Sequence, residues 1–444
     1  MNQNHKQKAG ISLPSKYQPT EATIIRQISV AIVIIVIAFL SCSKSKPANS
    51  LPDPLTISAI SPSSGSYATV ITISGKNFGT AITDNIVTFN GKQATVTGAS
   101  KTTLTVKVPK GAGSGPVSVT ANGHSVTGPL FTYTFSYTVS TFAGSTKGYA
   151  DGQATTAQFN SPMALTIDNQ DNIYVADFGN NLIRKITPAG NVSTVAGSTS
   201  GYADGIGTLS QFRGPVGITI DPSGNLYVSD YLNNKIRKIT PAGLVSTMAS
   251  LPQINYPSGM GIDSNGTVYF SEDNANIIRK IITIDSVVTV AGNLSGFADG
   301  VGAAAKFSIP KGITIDNQGN LFVADNANNA IRKITAAGLV STIAGGTLGF
   351  ADGTGAAAKF NQLQGIVVDK EDNIYVIDAF NYRLRKITQA GEVITVAGNG
   401  LPAQTDGIGT MASFGWPIGI AIDSKGNLFI TDIGNSIIRK ITIE

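Results

Sequence analysis

An arginine recurs at positions 184, 237, 279, 332, 385 and 439, each time inside a basic strand of the form Ile/Leu-Arg-Lys-Ile, with spacings of 53, 42, 53, 53 and 54 residues. Around each arginine the same order of elements returns. An apolar run ends in an acid, a short turn follows, and then come Leu/Ile/Val-Tyr/Phe and a second acid, an Asn-rich turn and the basic strand. A period of about 40–50 residues holding several short strands is the signature of a propeller blade, a unit that buries its faces only by stacking on its neighbours. Six such units predict a closed ring.

One repeat, Gly312 to Ala344, sets the expected blade. Strand a is Gly312–Asp316, and a tight turn over Asn317–Asn320 leads to strand b at Leu321–Asp325. Strand c covers Ala330–Thr335 and strand d Leu339–Ala344. The chain stops at Ile441-Thr442-Ile443-Glu444, a c strand with no d strand after it, while a spare d-like strand, Val139–Gly144, opens the repeat region. The last blade should therefore borrow its d strand from the N-terminal side, which closes the ring and covers an edge that would otherwise stay bare.

Charged residues are 13% of the 444, against 49 glycines and 42% hydrophobic residues, which suits many short strands joined by turns. The formal net charge of +5 is concentrated at the front, where Lys6, Lys8, Lys16 and Arg26 face only Glu21. The remainder is near neutral, so nothing favours nucleic acid, whose binding needs a concentrated basic surface. Cys42 is the single cysteine, so no internal disulfide is possible.

Residues Ile28–Leu40 form an apolar stretch suited to the core of a signal peptide and short for a membrane span of about 20 residues. Phe39-Leu40-Ser41-Cys42 resembles a bacterial lipobox, and the following Ser-Lys-Ser-Lys looks like lipoproteins of the Bacteroidota. That resemblance implies a signal peptide over 1–41, a lipidated Cys42, a flexible tether over 42–53 and residence in the cell envelope, anchored to the outer membrane on its surface or periplasmic side. An uncleaved anchor with an incidental cysteine is the other reading.

Residues 54–136 read as short alternating strands, such as Val70–Ile73, Ile86–Phe89, Leu104–Val108 and Val117–Val119, broken by turn residues. The order Ile60-Ser61-Pro62-Ser63-Ser64-Gly65, Ile73-Ser74-Gly75-Lys76-Asn77-Phe78-Gly79, Val108-Pro109 and Phe131-Thr132-Tyr133 resembles the immunoglobulin-like IPT/TIG family. From 137 to 444, Asp-x-x-Gly-Asn-Leu-Tyr-Val-Ala-Asp and Asn-x-Ile-Arg-Lys-Ile resemble NHL repeats. The expectation is an all-β chain, a six-bladed NHL-type β-propeller preceded by a small IPT/TIG sandwich, and monomeric.

Columns that return in every blade are expected to be structural. The acids Asp177, Asp230, Glu272, Asp325, Asp378 and Asp432 each precede an arginine by seven residues: Arg184, Arg237, Arg279, Arg332, Arg385 and Arg439. A carboxylate paired with the strand-c arginine satisfies two semi-buried charges at once. The Ala-Asp-Gly loops between blades supply one carboxylate each, too few for calcium, and read as turns. One loop, before the third blade, lacks this insert, which should leave a notch in the rim of the binding face.

Specificity should sit where blades differ. The residues at the mouth of strand a are Ser161, Gly214, Tyr256, Ile309, Gln362 and Trp416, and the b–c loops add Phe178, Tyr231, Asp273, Asn326 and Phe380. Aromatic rings beside amides stack on sugar faces or grip peptides, which makes Trp416, Tyr256, Tyr231, Phe178 and Gln362 the candidate ligand-binding residues; packing between loops is the alternative for each. The two histidines, His5 and His124, lie outside the ring, and His124 reads as a solvated turn residue. No zinc lyase or Ser/His nucleophile can be built in the ring. No cofactor, no metal and no catalysis are expected. The expected function is engagement of a glycan, a peptide or an envelope protein through the loop-rich face; the competing expectation is a histidine-free, metal-dependent hydrolase or lactonase at the channel mouth, which a bound divalent ion there would favour.

Overall fold

The computed structural model describes residues 53–250 and 254–444; the expected signal peptide, Cys42 and nearly all of the expected tether lie outside the described residues. Residues 54–444 form one compact unit, almost entirely β.

Two sheets make the sandwich, one of four strands and one of five. Alternation puts Ile71, Ile73, Leu104 and Val106 of one sheet against Val87, Phe89, Val117, Val119 and Phe131 of the other, all buried. Phe78 closes the end of this core. His124 is exposed at the start of the strand His124–Tyr133.

Six further sheets form the ring. Blade 4 shows the plan: a is Pro310–Ile315, b Leu321–Asp325, c Ala330–Ile334 and d Leu339–Gly345. Strand a lines the channel and lies backbone to backbone against its neighbours. A Cβ on Gly259 of blade 3 would stand 2.1 Å from the Lys311 carbonyl oxygen of blade 4, so only glycine allows that approach. Side chains tie the same seam, as where Ser271 Oγ donates to Lys311 O at 2.8 Å.

Closure follows the borrowed-strand plan. Tyr137–Ala143 pairs antiparallel with the C-terminal strand Ile437–Ile443, so one sheet contains both ends of the propeller sequence. Ser136 and Glu444 exchange both backbone hydrogen bonds at 2.7 and 3.0 Å. The sandwich therefore joins the ring at the end of strand c, on the face that carries the a–b and c–d turns.

The inserts between blades differ from the sequence reading. They do not crown the b–c loop face; each runs down the perimeter and adds a two-residue fifth strand to the d strand of the blade it leads into. Gly205–Ile206 pairs with Val245 and Leu244, and Gly300–Val301 with Val340 and Leu339. Among the described residues, the blade 3 sheet alone of the six has four strands, so the notch lies on the outer edge of blade 3 and not on the rim of the loop face.

Nor are the insert aspartates merely turn formers. Arg332 is fully buried, with Nη1 2.6 Å from Asp325 and Nη2 2.8 Å from the insert acid Asp299. The carbonyls of Lys306 and Ala298 take further N–H groups, and Phe307 and Phe297 flank the guanidinium, each centroid 5.0 Å away. Asp299 reaches on to the N–H and hydroxyl of Thr342 on strand d. The same group ties Arg184 to Asp177 and Asp151, Arg237 to Asp230 and Asp204, and Arg385 to Asp378 and Asp352.

Removing one partner of a buried ion pair strands the other in a low dielectric. Arg332→Ala should therefore cost about 3–5 kcal/mol, read as a lower urea midpoint, whereas Lys333→Ala on the neighbouring, partly exposed position should be nearly neutral.

Candidate functional site

On the face of b–c loops, residues at the mouth of strand a are positioned by a relay between blades. The residue four beyond each b-strand acid is Asn181, Asn234, Asn276 or Asn329 in blades 1 to 4, and each adopts a left-handed conformation with φ of 52–58°. Asparagine tolerates this region because its short amide bonds locally. Its side-chain oxygen then accepts the N–H of the next blade's mouth residue: Asn181 from Gly214 at 2.9 Å, Asn234 from Tyr256 at 2.8 Å, Asn276 from Ile309 at 2.9 Å and Asn329 from Gln362 at 2.8 Å. The four mouth residues take positive φ as well, as does Ser161 of blade 1, where the relay position in blade 6 is Ser436.

Blade 5 breaks the relay, because Tyr382 stands where the asparagine should be, with φ 52°. A phenol cannot reach back to accept that N–H. Trp416 N–H turns instead to Asp432 of its own blade at 2.7 Å, joined by Gly415 N–H at 2.9 Å. Asp432, engaged by two backbone donors, sits 3.6 Å from Arg439, against 2.6–2.9 Å for the other aspartate pairs. Trp416, which does not share the positive φ of the other five mouth residues, packs edge-on to Phe380 with ring centroids 5.8 Å apart, and both residues remain about two-fifths exposed.

A second pair stands between blades 2 and 3. Tyr231 and Tyr256 have centroids 5.0 Å apart at 51°, both half-buried. Tyr231 donates to Asp273 at 3.3 Å, and Asp273 forms an ion pair with Lys311 of strand a in blade 4. Burial, then the Asp273 charge, pushes the Tyr231 phenol up to about 12, so it stays a donor. By blade order, the junctions 2/3 and 5/6 face each other across the ring.

The other candidates are placed differently. Phe178 is half-buried, its ring lying where a Cβ on Gly214 would fall. Asn326 is buried and donates to the Leu363 carbonyl at 2.7 Å, a tie between blades 4 and 5. Gln362 is exposed beside the channel. Sequence reasoning missed the asparagine relay; the signal was the Asn-to-Tyr change at 382.

The opposite face also holds a cavity that its short, uniform turns do not suggest. The sandwich and the turns of blades 4, 5 and 6 line a cleft of about 820 Å³, bordered among others by Lys110, Tyr133, Phe135, Glu371, Lys386 and Glu444. Lys110 and Glu444 close one side at 3.3 Å, and Lys386 lies over the Phe135 ring at 5.2 Å. Among the described residues, no group of three or more His, Cys, Asp or Glu is placed to hold a metal. The carboxylates nearest the loop-face mouth are already committed to arginine, asparagine, lysine or backbone partners.

An immunoglobulin-like sandwich set on the turn face of a six-bladed propeller, with the loop face left open, defines the class of protein. Residues 55–137 match the IPT/TIG domain model, and residues 197–349 match the teneurin NHL domain model. Chicken NHL repeat-containing protein 2 is 27% identical over 321 residues, covering 68% of this chain and 42% of its own length. The chain thus spans about two-fifths of that relative. A Bacteroides thetaiotaomicron protein of unknown function is 24% identical with a TM-score of 0.61, covering 88% of this chain and 99% of that one. An auxiliary nutrient binding protein from Bacteroides ovatus is 20% identical with a TM-score of 0.57 over the same shares. At these identities the likeness is one of fold. The chain is an IPT/TIG domain joined to an NHL-type propeller.

Glu272 supplies a pH signature for the ring. It has no asparagine three residues on (Ala275 stands there), and burial pushes its carboxyl up from 4.5 to about 7, against the lowering pull of Arg279 and the Asn255 N–H. A carboxyl held more readily protonated in the folded chain stabilises fully below its unfolded value and loses that contribution as pH rises through about 7. Glu272→Gln, which cannot ionise, should therefore gain on the wild type in melting temperature as pH is raised from about 5 to about 8; a constant difference would show that Glu272 does not titrate there.

Proposed function

We propose that this protein is a non-enzymatic, extracytoplasmic binding protein whose ligand lies across the channel mouth on the b–c loop face. The observation that carries the reading is the pair of aromatic platforms, Phe380–Trp416 and Tyr231–Tyr256, on opposite sides of one open mouth. Half-exposed rings, one pair edge-on and one tilted, beside the side-chain amide of Gln362 and a charged pair (Lys311–Asp273) suit a glycan chain, whose sugar faces are apolar and whose edges bear hydroxyls. An extended peptide with aromatic or proline residues is the second class the same surface would take. The auxiliary nutrient binding protein of like fold is consistent with this role.

The sandwich supports the same orientation. It meets the ring on the turn face, so a chain tethered through its N-terminus keeps the loop face clear of its own spacer. Lipidation of Cys42 would hold the protein at the envelope. Cys42→Ala should then move it from the membrane fraction to the soluble fraction of fractionated cells, and unchanged fractionation would rule out the lipid anchor.

The direct test is calorimetric titration of fragment 54–444, the compact unit, against polysaccharides and peptides, with Trp416→Ala and Tyr256→Ala in parallel. Removing one stacking platform costs about 1–3 kcal/mol, so a glycan that binds should weaken by about tenfold or more in either variant. Binding indifferent to both changes would exclude this site, and a protein partner in the envelope would become the better reading.

A further inference from the structure

Five blades carry a fifth strand on the outer edge of strand d, and each is built alike. An aspartate (Asp151, Asp204, Asp299, Asp352 or Asp406) accepts the N–H and hydroxyl of a threonine on strand d, and the following glycine and its neighbour pair with that strand's first residues. The edge and its occupant are thus two halves of one repeated recognition unit. Both halves belong to the same chain.

Blade 3 keeps the receiving half and lacks the other. Its d strand, Ser286–Ala291, has Thr289 in register with Arg279, as Thr247 is with Arg237 and Thr342 with Arg332. No insert precedes this blade, and among the described residues no side-chain acceptor meets Thr289. The consequences are local. Val287 is half-buried where Val245 and Val340 are buried, and Val288 and Thr289 are exposed where Ser246, Thr247, Ser341 and Thr342 are half-buried. Ile282, Ile284 and Val288 of the same hairpin are 52%, 66% and 41% exposed. The seam to blade 2 is nonetheless closed, because Asp285 donates its N–H to Met248 O and accepts that of Ser250, both at 2.9 Å. The ring therefore holds without an insert, and the edge beyond Asp285 is left open.

We infer that the outer edge of blade 3 is a strand-addition site for an extended peptide from another protein, with an acid-glycine-aliphatic core like that of the inserts. The partner strand pairs antiparallel along Val287–Thr289, its carboxylate accepts the Thr289 N–H and hydroxyl, and its apolar neighbours cover Val288 and Ile282. Backbone hydrogen bonds supply affinity in this mode, and the carboxylate and alternate side chains supply selectivity. An edge of this kind left bare is a hazard that natural sheets cover, as the other five blades here do. This site is separate from the loop-face mouth and does not depend on a ligand there.

The probe is a synthetic peptide with the sequence of the blade 4 insert, Ser295 to Phe307, titrated by fluorescence anisotropy into the full-length protein. Binding is expected, and an Asp299→Ala version of the peptide should bind at least about tenfold more weakly, as befits loss of a charge-assisted pair. Thr289→Pro in the protein should weaken the normal peptide similarly while leaving the fold intact, because proline is tolerated on an edge strand whose N–H faces out. The alanine peptide keeps the test decisive even if that variant misfolds. No binding up to about 1 mM, a range set by weak peptide affinities, would overturn the proposal, as would binding indifferent to the peptide aspartate. Concentration-dependent dimers in sedimentation that Thr289→Pro disperses would also overturn it, since the edge would then belong to a second copy.

Discussion

A buried guanidinium holding two carboxylates is the interaction on which the ring depends. One carboxylate comes from strand b of the blade, and in five blades the other arrives from the insert that precedes it, so there the arginine joins the inside of a blade to the chain outside it. Neither charge could be buried alone at this depth; together with two carbonyls and flanking rings they are satisfied. That requirement repeats the acid and its arginine in every blade, and it also fixes the path of the inserts, because the insert acid reaches the guanidinium by running down the blade's outer edge.

Wherever the requirement is relaxed, the ring departs from its own symmetry. Blade 3 has no insert acid; its arginine meets Glu272 through Nε at 2.8 Å and is 12% exposed where the other arginines are 0%. Blade 6 has its aspartate drawn off by the backbone of Trp416 and Gly415. The first exception opens a strand edge, and the second sets an indole beside the channel. Both coincide with small sequence changes, a missing loop and a Tyr at 382 where blades 1 to 4 have Asn. A ring of identical blades is a neutral platform; individuality enters through such breaks.

The architecture is legible in the sequence because each element is specified locally. Period, turn glycines and the spare strand at Val139–Gly144 are all one-dimensional signals. The path of the inserts was not legible, since Ala-Asp-Gly satisfies the pattern of a turn whether it lies on a face or along an edge. The partners of Asp151 and Asp299 are 33 residues away in sequence, and no spacing rule announces them. At the candidate site, residue type alone picked out Trp416 and Tyr256. Their pairing with Phe380 and Tyr231 depends on blade-to-blade contacts that only the folded ring supplies. The cleft beneath the sandwich is also beyond reach of the sequence, because it lies between two domains whose docking is set by a few residues around Ser136 and Glu444.

The single tryptophan of the chain makes the central claim directly measurable, because all indole emission reports on residue 416. Intrinsic fluorescence of the protein should be followed during addition of a panel of soluble polysaccharides, with simple salts as controls. A saturable shift in emission with at least one polysaccharide, moved to about tenfold higher concentration or more when Tyr256 across the mouth is replaced by alanine, is the result this account predicts. An emission spectrum that stays unchanged while calorimetry detects binding of the same polysaccharide would contradict it, and would move the binding site away from the loop face.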